Sequence, residues 1–345
     1  MNATRALTRI SSSVLVALGL VLALSGCSNS SKPTNPATGV STTTGFTMGI
    51  IQKFGTIHLG TPPNEKIFHT EHAVLTRVDD GVMHDSMNDD DVMFRIGMQV
   101  EIFHAPDDTL AVAVQYMKNL EGPITAKPSA TVGATFDVLG VPVLVDGSTH
   151  FDDSMGSSGL TLGGLAVGNV IEVSGMFDGG GILHATFIEG RHSSSSGRTF
   201  EIKGLISGLS GTAPNQTFGV NGASFVTNGT SNLHDLVSGL ANGQFVEVKT
   251  QSTASPFLVT RVEPGTGETE DPRGRVAAAT KASVEGIVAN LSGTTPNFSF
   301  ALNGTPVTTS GGTTGVGLVV ANAHIEAEGP VVGGVLHAAR IAPRP

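Results

Sequence analysis

Residues 244–250 read QFVEVKT, with Val246 and Val248 alternating against Phe245, Glu247 and Lys249. Side chains two residues apart share one face of a β-strand. The pattern therefore predicts a strand whose valines point into a core and whose Glu247 points outward, solvated or paired with a neighbouring strand. The same pattern returns as QVEIFH (99–104), VIEVSG (170–175) and HIEAEG (324–329). Its glutamates, Glu101, Glu172, Glu247 and Glu326, are spaced by 71, 75 and 79 residues. Such intervals are too long for a solenoid repeat and suit small complete domains. Four occurrences point to architecture before catalysis.

Other landmarks keep this register. Gly97, Gly168, Gly243 and Asn322, residue types suited to a turn, stand four positions before the glutamates. Each unit starts with a glycine and apolar residues: GII (49–51), GPI (122–124), GLI (204–206) and GIV (286–288). TFDVLG (135–140), TFGVNG (217–222) and SFALNG (299–304) follow, with TIHLG (56–60) as the weaker first copy. LSGTAPNQTF (209–218) and LSGTTPNFSF (291–300) are identical at 7 of 10 positions. The Asn-Gly between alternating runs in TFGVNGASFV predicts a hairpin. In the third copy strands are expected around 203–207, 217–220, 223–226, 244–250 and 257–262, and no stretch carries a long 3.6-residue period. The expected fold is all-β, a tandem array of four small five-stranded OB-like barrels, with an SH3-like barrel or small sandwich as alternatives. The expected domains are 46–117, 121–190, 200–263 and 284–342, with 264–283 as a linker.

Units built of G-I-x, F-x-V-N-G, G-x-x-V-E-V and L-x-A-x-x-I resemble the bacterial family called domain of unknown function 5666. The opening GIIQKFGTIHL (49–59) is similar to the first unit of that family's multi-copy lipoproteins, and the resemblance spans roughly residues 46–342. The first unit departs most, because GTPPNEKIFHTEH (60–72) replaces the usual hairpin. The resemblance implies an envelope location and a small β-barrel. It brings no catalytic residue with it.

The N-terminus changes the picture by supplying an address. Arg5 and Arg9 precede an apolar run, Val14 to Leu24, and then Ser25, Gly26 and Cys27. Eleven apolar residues are too few to span a bilayer as a helix, which needs about 20, and suit a secretory signal. LSGC resembles a lipoprotein lipobox, which implies a signal peptide at 1–26, a lipid on Cys27 and a polar tether over 27–45. Ser28 after the cysteine resembles sorting to the outer membrane. Cys27 is the only cysteine, so a lipidated chain has no disulfide and no thiol nucleophile.

Charge and composition then remove classes of function. Cleavage before Cys27 removes Arg5 and Arg9 and takes the net charge from −10 to −12. Such a body is repelled by nucleic acid and by an anionic membrane surface. With no Trp and one Tyr, it lacks the usual aromatic platforms for sugars or unpaired bases. No G-x-S-x-G, P-loop, H-E-x-x-H or C-x-x-C motif occurs, so no catalytic residues and no required cofactor are predicted. DGGGIL (178–183) is read as a tight hairpin. One region stands apart: residues 58–91 hold four of the 11 His and eight of the 29 acids. His69, His72, His84, Asp85, Asp89 and Asp91 are candidate ligands for a divalent metal, against the plainer reading of a solvated acidic loop. The expected function is a lipid-anchored envelope protein acting as a non-catalytic binding or structural module, with an envelope protein or small ligand as partner. The alternatives are a metal-binding protein and, behind it, an enzyme. How the four units pack distinguishes a spacer from a ligand site.

Overall fold

The computed structural model describes residues 45–345 apart from 80–81, 87–92, 107–108, 127–131, 154–159, 237 and 265–271. The first segment supplies β1 (Gly45–Lys53), β2 (Ile57–Leu59), β3 (Lys66–Phe68), β4 (Val74–Asp79), β5 (Val82–Ser86), β6 (Gln99–His104) and β7 (Ala111–Tyr116). The second supplies β8 (Leu120–Pro123), β9 (Thr135–Val138), β10 (Val141–Asp153), β11 (Val170–Phe177) and β12 (Leu183–His192). The third supplies β13 (Phe200–Thr212), β14 (Asn215–Val220), β15 (Ala223–Val226), β16 (Phe245–Thr250) and β17 (Phe257–Pro264). A helix, α1 (Pro272–Ala278), then precedes β18 (Lys281–Ile287), β19 (Ala289–Thr294), β20 (Asn297–Leu302), β21 (Thr305–Thr308), β22 (His324–Val332), β23 (Val335–His337) and β24 (Arg340–Pro343). The helix lies in the span expected to be a linker and begins at a proline, whose fixed φ suits a first helical turn.

The third segment closes on itself. β13 pairs antiparallel with β14 and β14 with β15; β15 runs parallel to β17; β17 and β16, then β16 and β13, are antiparallel. The path returns to its start and makes a five-stranded barrel. Its tight turn is the expected Asn-Gly: Asn221 and Gly222 have φ of 48° and 89°, which a two-residue primed turn requires. Val246 and Val248 fill the interior with Phe218, Phe225 and Phe257, whose rings touch in series at 5.7 and 5.8 Å.

The other segments pair in related ways. In the fourth, β19–β20–β21 are antiparallel, β21–β23 parallel, and β23–β22–β18 antiparallel. In the second, β9–β10 are antiparallel, β10–β12 parallel, β12–β11–β8 antiparallel, and Ile124 bridges Val138. In the first, β1–β2–β3 are antiparallel, β4–β7 parallel and β7–β6–β1 antiparallel, with β5 added beside β4. The turn before each glutamate strand is identical in its bonding. Gly97, Gly168, Gly243 and Asn322 have φ of 91°, 89°, 79° and 62°. Their amides donate to the carbonyls of Ile51, Ile124, Ile206 and Val288, whose own amides bond back one residue further on.

Neighbours in the chain are not always neighbours in the sheets. β1 of the first segment runs parallel to β18 of the fourth, with Gly45 opposite Lys281 and Met48 opposite Val284. β8 of the second segment pairs antiparallel with β13 of the third through Leu120–Ile202 and Glu121–Glu201. The second and third segments accordingly share one hydrophobic cluster. The first and second are joined by Phe187 in the first segment's core, by the Arg77–Glu189 ion pair and by Gln99 N donating to Ser174 Oγ at 3.1 Å.

Candidate functional site

The four repeated glutamates are buried: Glu101, Glu172, Glu247 and Glu326 are 0%, 0%, 4% and 1% exposed. Of the two expectations for the outward Glu247, solvation is corrected, while a partner on the neighbouring strand is present: Lys203 stands directly opposite it on β13. Alternation does turn Glu247 away from the barrel interior, but Lys203 at 3.5 Å, Lys249 at 2.8 Å and Glu263, opposite it on β17, cover it. Alternation fixes which face a residue occupies and says nothing of what lies against that face.

Each glutamate meets cations, because a buried charge needs compensation. Glu101 is bound by Arg275 of α1, which also donates to Gln115 Oε1 at 3.1 Å and lies 5.8 Å from the centre of the Phe103 ring. Burial lowers the Arg275 pKa to about 10, still charged at neutral pH. Glu326 is held by Lys66 at 2.9 Å, Arg340 at 3.3 Å, Arg344 and Ser283. Lys66 comes from the first segment, so this cluster joins it to the fourth.

Glu172 is the least satisfied. Lys118 lies 3.8 Å away, and neither carboxylate oxygen has a hydrogen-bond partner. Burial raises the Glu172 pKa, against the opposing pull of Lys118 and Arg77. Burial and the same carboxylate, beside the phenol, raise that of Tyr116. Lys118 sits between Glu121 at 2.9 Å and Glu201 at 2.7 Å. Burial alone lowers its pKa, but Glu201, Glu172 and Glu121 outweigh it and raise the value.

The clusters of Glu101, Glu172 and Glu247 reach, through Arg275, Lys118 and Lys203, a cleft of about 300 Å³. All four segments and α1 line it, among them Tyr116, Phe177, Lys203, Phe245, Arg275 and Asn303. The volume falls at the lower end of small-ligand sites. Asn221 and Asn303, from matching turns of the third and fourth segments, each donate an amide to a strand carbonyl, Lys203 O at 2.7 Å and Glu285 O at 2.8 Å. Asp178 is the one acid among the described lining residues, and its oxygens are occupied by the amides of Gly180 and Ile182 and by His184 Nε2. Its hairpin, expected as a tight turn, joins β11 to β12. The arrangement presents amide and cationic groups beside Phe177, Leu205 and Phe245.

The metal candidates fall elsewhere. His69 is exposed and lies 3.5 Å from Glu71 Oε1. His72 is exposed. His84 and Asp85 lie on β5, opposite Arg77 and Thr76 of β4. Asp89 and Asp91 lie outside the described residues. Among the described residues, no group of three His, Cys, Asp or Glu side chains is placed to hold a metal. Cys27 and its flanking apolar run also lie outside them, and no helix among the described residues is long and apolar enough to cross a membrane. Sequence reasoning missed Lys118, Glu121, Glu201 and Arg275. The start of α1 at Pro272, followed by Arg-Gly-Arg-Val-Ala-Ala, was the available signal for Arg275.

A family described as a domain of unknown function (DUF5666) matches residues 121–189 and 203–263. These are the second and third segments, which share a sheet and a core. No curated protein matches the chain.

Proposed function

We propose that the chain is a lipid-anchored protein of the bacterial cell envelope, built from four OB-like barrels, that binds a small molecule without transforming it. The cleft shared by all four segments carries this reading. A spacer of independent barrels has no use for a common cavity whose wall needs every segment in place. The LSGC sequence at 24–27 supports the envelope location, with Cys27 as the lipid site and the outer membrane as the destination.

The chain carries its own reporter, since Tyr116 is its one tyrosine, it has no Trp, and Tyr116 lines the cleft. Purified protein incubated with a periplasmic small-molecule extract is expected to retain a compound detectable by mass spectrometry, with a change in Tyr116 emission. Ala301→Trp, which fills the cleft, should abolish retention. Failure of the wild type to retain anything, or equal retention by the filled variant, overturns the reading. Cys27→Ser should move the protein from membrane to soluble fractions or leave it unprocessed; processed, equally membrane-bound variant protein removes the lipid assignment.

A further inference from the structure

The chain as a whole holds 29 acids and 19 Lys and Arg, yet its cleft is cationic. Among the described residues four cations, Lys118, Lys203, Arg273 and Arg275, line it against the single acid Asp178. The oxygens of Asp178 are already bonded to Gly180, Ile182 and His184. Lys118 and Arg275 are committed to buried glutamates. Lys203 is more loosely paired: Glu247 is 3.5 Å away and lies closer to Lys249, at 2.8 Å, and Glu201, which also feels its charge, is bonded to Lys118 at 2.7 Å. Gln99 adds a buried side-chain amide nitrogen with no hydrogen-bond partner, and it too belongs to a residue of the cleft wall.

An apolar surface adjoins this charge on the same sheet face. Lys203 and Leu205 are two residues apart on β13, opposite Glu247 and Phe245 of β16. The cationic head site and the Leu205–Phe245 surface are therefore about 7 Å apart along the strand. Phe177 lines the same cleft.

We infer that the ligand is a small organic anion, its acidic group received by Lys203 and its non-polar body laid against Leu205, Phe245 and Phe177. This rests on the reading of the cleft as a ligand site. Lys203 and the wall amides are hydrogen-bond donors, and a charged acceptor forms stronger bonds to such donors than a neutral one.

Three saturated probes of one shape, transparent where tyrosine absorbs, test the inference on the intact protein: cyclohexanecarboxylate, cyclohexanecarboxamide and cyclohexylmethylammonium. Titrations followed by Tyr116 emission should show saturable binding of the carboxylate, binding of the carboxamide at least about tenfold weaker, and no binding of the ammonium ion. Lys203→Met should weaken the carboxylate at least about fivefold and leave the carboxamide unchanged, while Lys203→Arg keeps the preference. Should Lys203→Met not fold, salt dependence in the wild type replaces it: carboxylate affinity falls with ionic strength and carboxamide affinity does not. Equal binding of carboxylate and carboxamide, preferred binding of the ammonium ion, or salt-independent carboxylate binding overturns the anionic class and leaves a ligand cleft standing. Absence of any response to all three overturns both readings.

Discussion

Lys118 Nζ lies 2.7 Å from Glu201 Oε1, across the line where β8 of the second segment meets β13 of the third. Glu121, directly opposite Glu201, takes the same ammonium at 2.9 Å. Two glutamates facing each other across paired strands would repel. One lysine, from the stretch between β7 and β8, makes that register tolerable and ties the two segments together.

Removing this cation should therefore cost far more than removing a surface lysine. Lys118→Met leaves Glu121, Glu172 and Glu201 without their shared partner, and breaking one side of a buried pair costs about 3–5 kcal/mol. Urea unfolding is the measurement. A loss below about 1 kcal/mol, the range of an exposed pair, would show that water reaches these carboxylates.

Glu247 offers a sharper contrast, because an outward strand residue, solvated or paired at the surface, contributes only tenths of a kcal/mol. Buried at 4% exposure and bonded to Lys249, it should on substitution to Gln lose about 1–3 kcal/mol. Denaturant melts that leave the midpoint unchanged would restore the solvated placement.

Acid should weaken the body in a defined window. Burial opposes ionisation of Glu201 and Glu328, but Lys118 and Lys203 for the first, and Lys66, Lys281 and Arg340 for the second, lower both pKa values from 4.5 to about 2. A carboxylate with a depressed folded pKa contributes stability that is present above its unfolded value and lost as pH falls towards the folded one. Stability should thus decline between pH 4.5 and about 2. Glu172, raised by burial, acts with opposite sign and above that window, adding stability as pH falls towards 4.5. Thermal melts of Glu201→Gln should show a shallower acid slope than wild type; an equal slope would assign the loss to other groups.

Two glycines with nearly equal backbone angles separate strain from collision. Gly97 and Gly168 have φ of 91° and 89°, but a Cβ on Gly97 would lie 2.4 Å from Thr186 O, whereas one on Gly168 meets nothing within 4 Å. Gly168→Ala should lose about 1–2 kcal/mol for the left-handed backbone. Gly97→Ala should lose that and more, since the first segment must draw back from β12. Equal losses in unfolding experiments would mean that the contact at Thr186 yields freely.

Much of the third segment was legible because its signals are local. The Asn221-Gly222 turn, the alternation about Val246 and Val248, and the turn at Gly243 each need only a few consecutive residues. The cleft was not legible, since Tyr116, Phe177, Lys203 and Asn303 meet only when segments remote in sequence pair. Nor was the role of Arg275: it stands in a stretch rich in Gly, Pro and charge that reads as a connector, and its value comes from Glu101, 174 positions earlier. The burial of the glutamates shares this cause, for periodicity is a property of one strand and coverage is a property of its neighbours.

The parallel contact of β1 with β18 also sets a timetable. Ile50 N finds its acceptor on Glu285, 235 positions later. At about 5–20 residues per second of synthesis, the partner arrives roughly 10–50 s after the strand it covers. Until then the Gly45–Met48 side of β1 is an open edge carrying Phe46 and Met48, of the kind that recruits strands from other molecules. The fourth segment is thus the molecule's own escort for its beginning, and a nascent chain that stops short of Lys281 exposes an adhesive edge to every copy around it.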